Sequence, residues 1–413
     1  MHSGMPRLGL PFGFSFVIVL AFFAGASPSL RADAAPPAGN ADAPAWRDEE
    51  AFRAVRRMRR GINFGNAWEA PPGTWGNIRY RAEDFRAARA AGFDHVRLPV
   101  AWHHHQGAAP EHRISPKIFA EIDALVGLAR AEGLTVILDW HHFDRLTDAL
   151  APEALAQWHA GWAQIARHYR GVPARELVFE LLNEPRDAAT TERMNELYPA
   201  AIAVVRAEDT RRTILVSPGG WGGLAELPKL RLPRELKNIV ATGHCYAPFL
   251  FTHQGASWTG ESTRTTGLRF PGPPPVPASA GAGTPDWVAG WIHDYNTRPA
   301  ETNPCGPAAF VGEIAAAAEW GRREGRPVHV GEFGAITRAD ADSRVRYAAA
   351  MRAEIERHGL AWAWWDWKAA FAVARDTPEG VRMDEDLRLA LLPARPEPPR
   401  VGPRASGARH PAR

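Results

Sequence analysis

The chain has 413 residues, 45% hydrophobic and 23% charged, which is long enough for two average domains or for one large α/β barrel with insertions. Its net charge of +3 belongs to the ends: residues 393–413 contribute +4 and residues 1–34 contribute +1, which leaves −2 on the rest. That balance excludes a nucleic-acid-binding class, and nothing beyond residues 12–23 is apolar enough to cross a bilayer.

Arg7, the apolar run Phe12–Phe23 and the small residues at Ala24–Ala26 and Ala32–Ala34 have the order of an export signal. Residues 1–34 are therefore expected to be a signal peptide, with a retained anchor as the alternative, and residues 35–45 a linker. The protein is expected outside the cytoplasm, periplasmic or secreted. Phe52, Val55 and Met58 recur at helical spacing and predict a short helix ahead of the first strand.

Strands are predicted over 61–68, 93–100, 135–141, 176–184, 213–220, 239–246, 328–334 and 361–367. Between them lie amphipathic Ala/Leu/Arg-rich segments that end near glycines, as helix C-termini do. Eight strands alternating with helices predict an α/β protein with a single (β/α)8 TIM barrel over residues 46–392. The competing arrangement is a doubly wound open sheet, but no Gly-rich phosphate loop follows the first strand. The stretch 247–306, rich in Gly, Pro, Ser and Thr, is expected to be a long structureless loop over the carboxyl ends of the strands. The Pro/Arg segment 393–413 is expected to be a disordered tail. Cys245 and Cys305 could pair in an exported protein, but they lie far apart in sequence.

A barrel gathers the carboxyl ends of its strands around one cavity. Arg97, His141, Asn183, Glu184, His244, Tyr246, Glu332 and Trp365 all fall near predicted strand ends, so six of the eight strands send polar or aromatic groups to one mouth. Two carboxylates among tryptophans point to glycoside hydrolysis, in which one acid protonates the leaving oxygen and a second carboxylate attacks or activates water. Glu180 is excluded as the partner of Glu184. It lies about 13 Å back along the same strand, at ~3.3 Å per residue, and is expected to be a buried structural acid. The histidine run 103–105 invites a metal reading. On an extended segment its side chains would point in opposite directions, so no metal is expected there. Trp68, Trp221 and Trp258 are candidate outer platforms for sugars, with core packing as the alternative.

The segments "GINFGNAWEAP", "FDHVRLPVAW", "VILDWHH", "LVFELLNEP", "GHCYAPF", "VHVGEFG" and "AWAWWDW" resemble, in order over residues 60–370, the signature segments of glycoside hydrolase family 5. The resemblance implies a retaining β-glycosidase with Glu184 as acid/base and Glu332 as nucleophile. It further implies that Asn183 holds the sugar 2-hydroxyl, and that Arg97 and Tyr246 keep Glu332 ionised. His141 and His244 would line the cleavage subsite, and Trp365 would form its floor. The expected activity is endo-β-1,4-glucanase, with mannan, xylan or β-1,3-glucan as other substrates of such a site. A non-catalytic glycan-binding barrel and a metal-dependent hydrolase are the alternatives from other classes. The expected partner is a β-linked polysaccharide or oligosaccharide, bound by a monomer with no cofactor, no metal, no nucleic acid and, after signal cleavage, no membrane.

Overall fold

The computed structural model describes residues 46–394; the expected signal, the whole of the expected linker and the tail beyond Ala394 lie outside that range. Helix α1 (Glu49–Val55) comes first, followed by β1 (Arg60–Asn63), α2 (Ala82–Ala91), β2 (His95–Val100), α3 (Pro116–Ala131), β3 (Thr135–Trp140), α4 (Pro152–Tyr169) and β4 (Leu177–Glu180). Then come α5 (Thr191–Glu208), β5 (Ile214–Val216), β6 (Ile239–His244), α6 (Asp286–Thr297), α7 (Val311–Glu324), β7 (Val328–Phe333), α8 (Ala341–Arg357) and β8 (Ala361–Trp364). The strands β1 to β8 pair in parallel, in sequence order, and β8 closes on β1. The barrel reading holds and the open sheet does not.

Two things differ from the simplest eightfold repeat. After β5 the chain makes one short helical turn (Gly219–Gly222) and a 3₁₀ helix (Leu224–Lys229) instead of a full helix. After β8 it makes a hairpin, β9 (Ala374–Thr377) and β10 (Gly380–Met383), before the last helix α9 (Glu385–Leu391).

Alternation along each strand sorts the apolar residues into two separate clusters. Val136, Leu138, Phe179 and Ile214 face the helices, whereas Ile137, Val178, Leu215, Val240 and Ala361 face inward near the amino ends of their strands. Helix α1 covers that end: Ala51, Ala54, Val55 and Met58 complete the inner cluster. Asp48 fixes the plug, capping α1 through Ala51 N at 3.2 Å and accepting from Ile239 N at 3.1 Å. It also takes the buried guanidinium of Arg326 at 3.2 Å. The predicted helix is thus present, although Met58 lies just past its end.

The connection 247–306 is not the structureless loop expected from its composition. It contains the turn Phe249–Thr252, helix α6 and several 3₁₀ turns. Sparse apolar residues, Leu268, Phe270, Val288, Tyr295 and Cys305, are fully buried and join the outer core, where Phe270 packs edge-on to Tyr347 of α8. The Gly and Pro content masks an anchored insertion. Cys245 and Cys305 are both free: the first donates to Glu313 at 3.6 Å and the second to the carbonyl of Arg269 at 3.3 Å.

Met58 is wholly buried in the inner plug and far from the carboxyl ends of the strands. Met58→Ala is expected to lower unfolding free energy by about 2–5 kcal/mol in a denaturant melt, with substrate binding unchanged. A loss below 1 kcal/mol would show that the plug is dispensable.

Candidate active site

Above the apolar plug the barrel interior turns polar. His95 and His329 meet at 3.0 Å between their Nε2 atoms, and the next inward layer is ionic. Arg97, with no exposed surface, uses all its donors there. Its Nε and Nη2 bind Glu180 at 2.7 and 2.8 Å, and Nη1 binds Asn63 at 3.0 Å and Glu332 at 2.7 Å. Nη2 also reaches Asn183 at 2.8 Å and Asp139 at 2.9 Å. One cation thus faces three buried carboxylates. Burial pushes Asp139 up to about 7 despite Arg97, and raises Glu180 as well.

The aim of Glu332 depends on a register shift. His329 faces inward and Val330 outward, so strict alternation would turn Glu332 away from the cavity. Pairing with β6 instead shifts between Gly243↔Val330 and His244↔Glu332, leaving Gly331 as the extra residue of a bulge. A Cβ on Gly331 would lie 2.8 Å from Thr242 Oγ1 and 3.3 Å from His244 Nε2, so glycine is what the close approach allows. Glu332 then accepts from Tyr246 Oη at 2.8 Å on the oxygen that does not face Arg97.

Glu184 lies past the end of β4 in a left-handed backbone conformation, φ 48°, and its Oε1 sits 2.9 Å from His244 Nδ1. The same His244 nitrogen is 3.6 Å from Glu332. Burial works against charge on His244, but Glu332 and the hydrogen bond to Glu184 outweigh it and raise the imidazole pKa. Burial alone would raise Glu184; the bond to His244 reverses this and lowers it. Both shifts favour the charged pair, with the proton on His244 and donated to Glu184. One oxygen of each glutamate and a His244 nitrogen all lie within 4.8 Å of one another. Among the described residues this is the one such convergence of acidic and histidine ligand atoms, and its hydrogen bonds account for it.

His141 Nδ1 lies 2.6 Å from Asp139, and Asn183 Nδ2 points at its Nε2 at 3.4 Å. Because Arg97 fixes the amide oxygen, the amide nitrogen donates, so Nε2 accepts and Nδ1–H faces Asp139. Burial, reinforced by Arg97, holds His141 far below the usual imidazole range, hence neutral. Its ring lies parallel to Trp365, 5.7 Å between centroids. Trp365 is half-buried and rests on Gly65, where a Cβ would come within 2.6 Å of the indole.

All eight residues singled out from the sequence therefore surround one cavity, with one correction. Arg97 is not a strand-end residue touching ligand: it sits in the middle of β2, wholly buried beneath the mouth, and reaches the site through Glu332 and Asn183. The predicted strands also run too long, since His141, Asn183, Glu184, Tyr246 and Trp365 follow the ends of theirs. The histidines 103–105 form a 3₁₀ helix rather than an extended segment, and His103 stacks on Phe143. Of the outer tryptophans, Trp258 is 53% exposed and Trp221 37%, the latter over Arg186 at 4.5 Å. Trp68 is partly buried and bound to Glu121.

Several residues were missed. Asn63 and Asp139 complete the shell of Arg97. Glu69 accepts from the backbone nitrogens of Asn66 and Ala67, and the Asn66 amide binds Asp366 beside Trp365 at 3.0 Å. Burial pushes both Glu69 and Asp366 up to about 7. His253 packs edge-on against Tyr246. The inward alternation of β1 and β3 is the one sequence signal that would have found Asn63 and Asp139.

Comparison with known proteins agrees with this geometry. The family model described as cellulase (glycosyl hydrolase family 5) matches residues 59–371. The chain is 28% identical to Endoglucanase 3 of Fibrobacter succinogenes, over 82% of this chain and 53% of that one. It is 25% identical to Endoglucanase H of Acetivibrio thermocellus, over 76% and 30%. It thus spans about half or less of the length of these relatives. Among solved structures, Thermotoga maritima Cel5A in complex with cellobiose superposes with a TM-score of 0.70 at 33% identity, covering 83% of this chain and all of that one. The cellulose synthase subunit Z of Clostridioides difficile gives 0.69 at 26% identity, over 81% and 99%. With a closed barrel, a matching family model over most of its length and paired glutamates at the strand ends, the chain belongs to glycosyl hydrolase family 5.

Proposed function

We propose that the protein is a retaining endo-β-1,4-glucanase. The observation that carries this reading is the approach of Glu184 and Glu332 oxygens to within 4.8 Å across the mouth. Retaining glycosidases hold their carboxyls about 5–5.5 Å apart, too close for a water to sit between nucleophile and sugar as inversion requires.

Glu332, paired with Arg97 and hydrogen-bonded by Tyr246, attacks the anomeric carbon. Glu184 passes the proton it receives from His244 to the leaving glycosidic oxygen, and a glycosyl-enzyme ester forms on Glu332. Esterification removes the negative charge that most supports a proton on His244, which readies the Glu184–His244 pair to take a proton from water in the second step. Asn183, held by Arg97 and His141, donates to the 2-hydroxyl of the sugar, and Trp365 stacks under its ring. Trp258 and Trp221 extend the platform to neighbouring sugars.

The names of the relatives support a β-1,4-glucan substrate. A second reading, β-mannan, is favoured by one observation: the Thermotoga maritima Cel5A neighbour also has a complex with mannotriose, at 32% identity and a TM-score of 0.70. The pattern of Arg7 and Phe12–Phe23 supports an exported location.

Reducing-end release from carboxymethyl cellulose, mixed-linkage β-glucan, mannan, xylan and laminarin is expected to be greatest on the β-1,4-glucans. Mannan as the best substrate would replace the substrate and keep the mechanism. Glu184→Gln should lower kcat/KM by about 10²–10⁴, and Glu332→Gln by more. The first product seen by NMR should be the β-anomer; an α-anomer would refute retention.

Arg97→Met leaves Glu332, Asp139 and Glu180 buried without their cation, at a cost of about 3–5 kcal/mol at pH 7. The folded pKa values of Asp139 and Glu180, already raised by burial and then without the lowering effect of Arg97, lie above the unfolded ones, so the folded state binds more protons and stability falls as pH rises above about 4. Urea melts should therefore show the variant relatively more stable at pH 5 than at pH 7. Equal destabilisation at both would show that Arg97 does not compensate these acids.

A further inference from the structure

The near-neutral total of the barrel hides an uneven distribution. At the amino ends of the strands, opposite the mouth, exposed cations crowd together: Arg53, Arg56 and Arg57 at the end of α1, Arg170 and Arg175 before β4, Arg211 before β5 and Lys237 before β6. Their proximity is fixed by packing. Helix α1 is buried against Val178 of β4, Leu215 of β5 and Val240 of β6. Arg170, Arg211 and Arg212 line one cavity of about 210 Å³ that is also walled by Asp209 and residues 171–174, next to Arg175. Asn238, beside Lys237, binds the carbonyl of Arg211 at 2.8 Å. Burial lowers the pKa of Arg57, and the charges of Arg175, Arg53 and Arg56 lower it further.

The carboxylates of this face are mostly committed. Glu50 lies 3.7 Å from Arg53, Glu176 holds Arg130 and Arg175 at 2.7 and 2.8 Å, and Asp209 holds the buried Arg212 at 2.7 Å. Among the described residues Arg56, Arg57, Arg170, Arg211 and Lys237 have no carboxylate within ion-pair distance. Both ends of the described chain lie here too. Asp48 N bonds to Gly325 O ahead of β7, and Pro393 O faces Arg60 at the start of β1. In sequence, the apolar run Phe12–Phe23 precedes the first of these ends, and five arginines against one glutamate follow the second.

We propose that this face docks on the anionic head groups of a lipid bilayer, holding the catalytic mouth away from the membrane. A cluster of exposed cations, of which Arg56, Arg57, Arg170, Arg211 and Lys237 have no carboxylate partner among the described residues, fits a planar anionic surface better than a single strand, which would need a groove. This revises the expectation of no membrane partner after signal removal, and it does not depend on which glycan the mouth cleaves.

The test is co-sedimentation of the full chain with phosphatidylcholine vesicles and with vesicles containing phosphatidylglycerol. The expected result is roughly tenfold or greater preference for the anionic vesicles at low ionic strength, lost in high salt as the charges are screened. The apolar run would bind both vesicle types, so the difference between them reads the charged face. Arg56→Glu, Arg57→Glu, Arg170→Glu and Arg211→Glu together should abolish the preference while leaving the unfolding curve near that of the wild type. If that variant does not fold, Arg56→Gln with Arg57→Gln should weaken the preference severalfold. Equal binding to both vesicle types, or a preference that survives these substitutions, overturns the proposal. Binding to soluble polyphosphate without anionic-vesicle preference would also overturn it, in favour of a soluble polyanion.

Discussion

One buried guanidinium organises the catalytic end of this barrel. Arg97 sits on β2 and reaches Asn63 on β1, Asp139 on β3, Glu180 on β4, Asn183 beyond it and Glu332 on β7. Strands far apart in sequence thus share one charge, and they are neighbours around it only because β8 closes on β1. An isolated buried arginine would be prohibitively costly, as would three isolated carboxylates; together they are tolerable because each satisfies the others. All three acids pair with the cation, and the two deepest, Asp139 and Glu180, still have pKa values raised by burial.

The inner column of the barrel is therefore graded. An apolar layer closed by α1 gives way to the His95–His329 pair, then to the Arg97 layer, then to the mouth. Stability resides at one end and chemistry at the other, as the architecture permits. The tryptophans follow the same division. Trp102, Trp140, Trp158, Trp162, Trp320, Trp362, Trp364 and Trp367 are fully buried. Six of these eight donate hydrogen bonds, and two, Trp158 and Trp162, both bind the carbonyl of Leu181, at 2.9 and 3.0 Å, just before the turn that presents Asn183 and Glu184. Much of the indole content shapes the site from behind instead of touching sugar.

The fold was legible because strand and helix periodicities alternate cleanly and glycines end the helices. The gathering of eight site residues was legible because a barrel maps strand ends onto one place. Three features were not. The bulge at Gly331 depends on a pairing register that no single strand records, and simple alternation would have pointed Glu332 outward. Asn63 and Asp139 look like ordinary polar residues inside strands until Arg97 is seen between them. The β6–β7 connection hid its core behind Gly and Pro, because a few well-spaced apolar residues suffice to anchor an insertion whose average composition is that of a loop.

The left-handed backbone at Glu184 has a consequence for how such a site persists. Residues other than glycine pay about 1–3 kcal/mol to occupy that region, and His142 and Trp221, on neighbouring rim loops, occupy it as well at φ 49° and 62°. The rim is therefore held in conformations its own residues disfavour, by the packing of the rest of the barrel. Substitutions that relax the rim would tend to accumulate under selection for stability alone, so the stability reserve below the cavity sets how much distortion evolution can maintain above it.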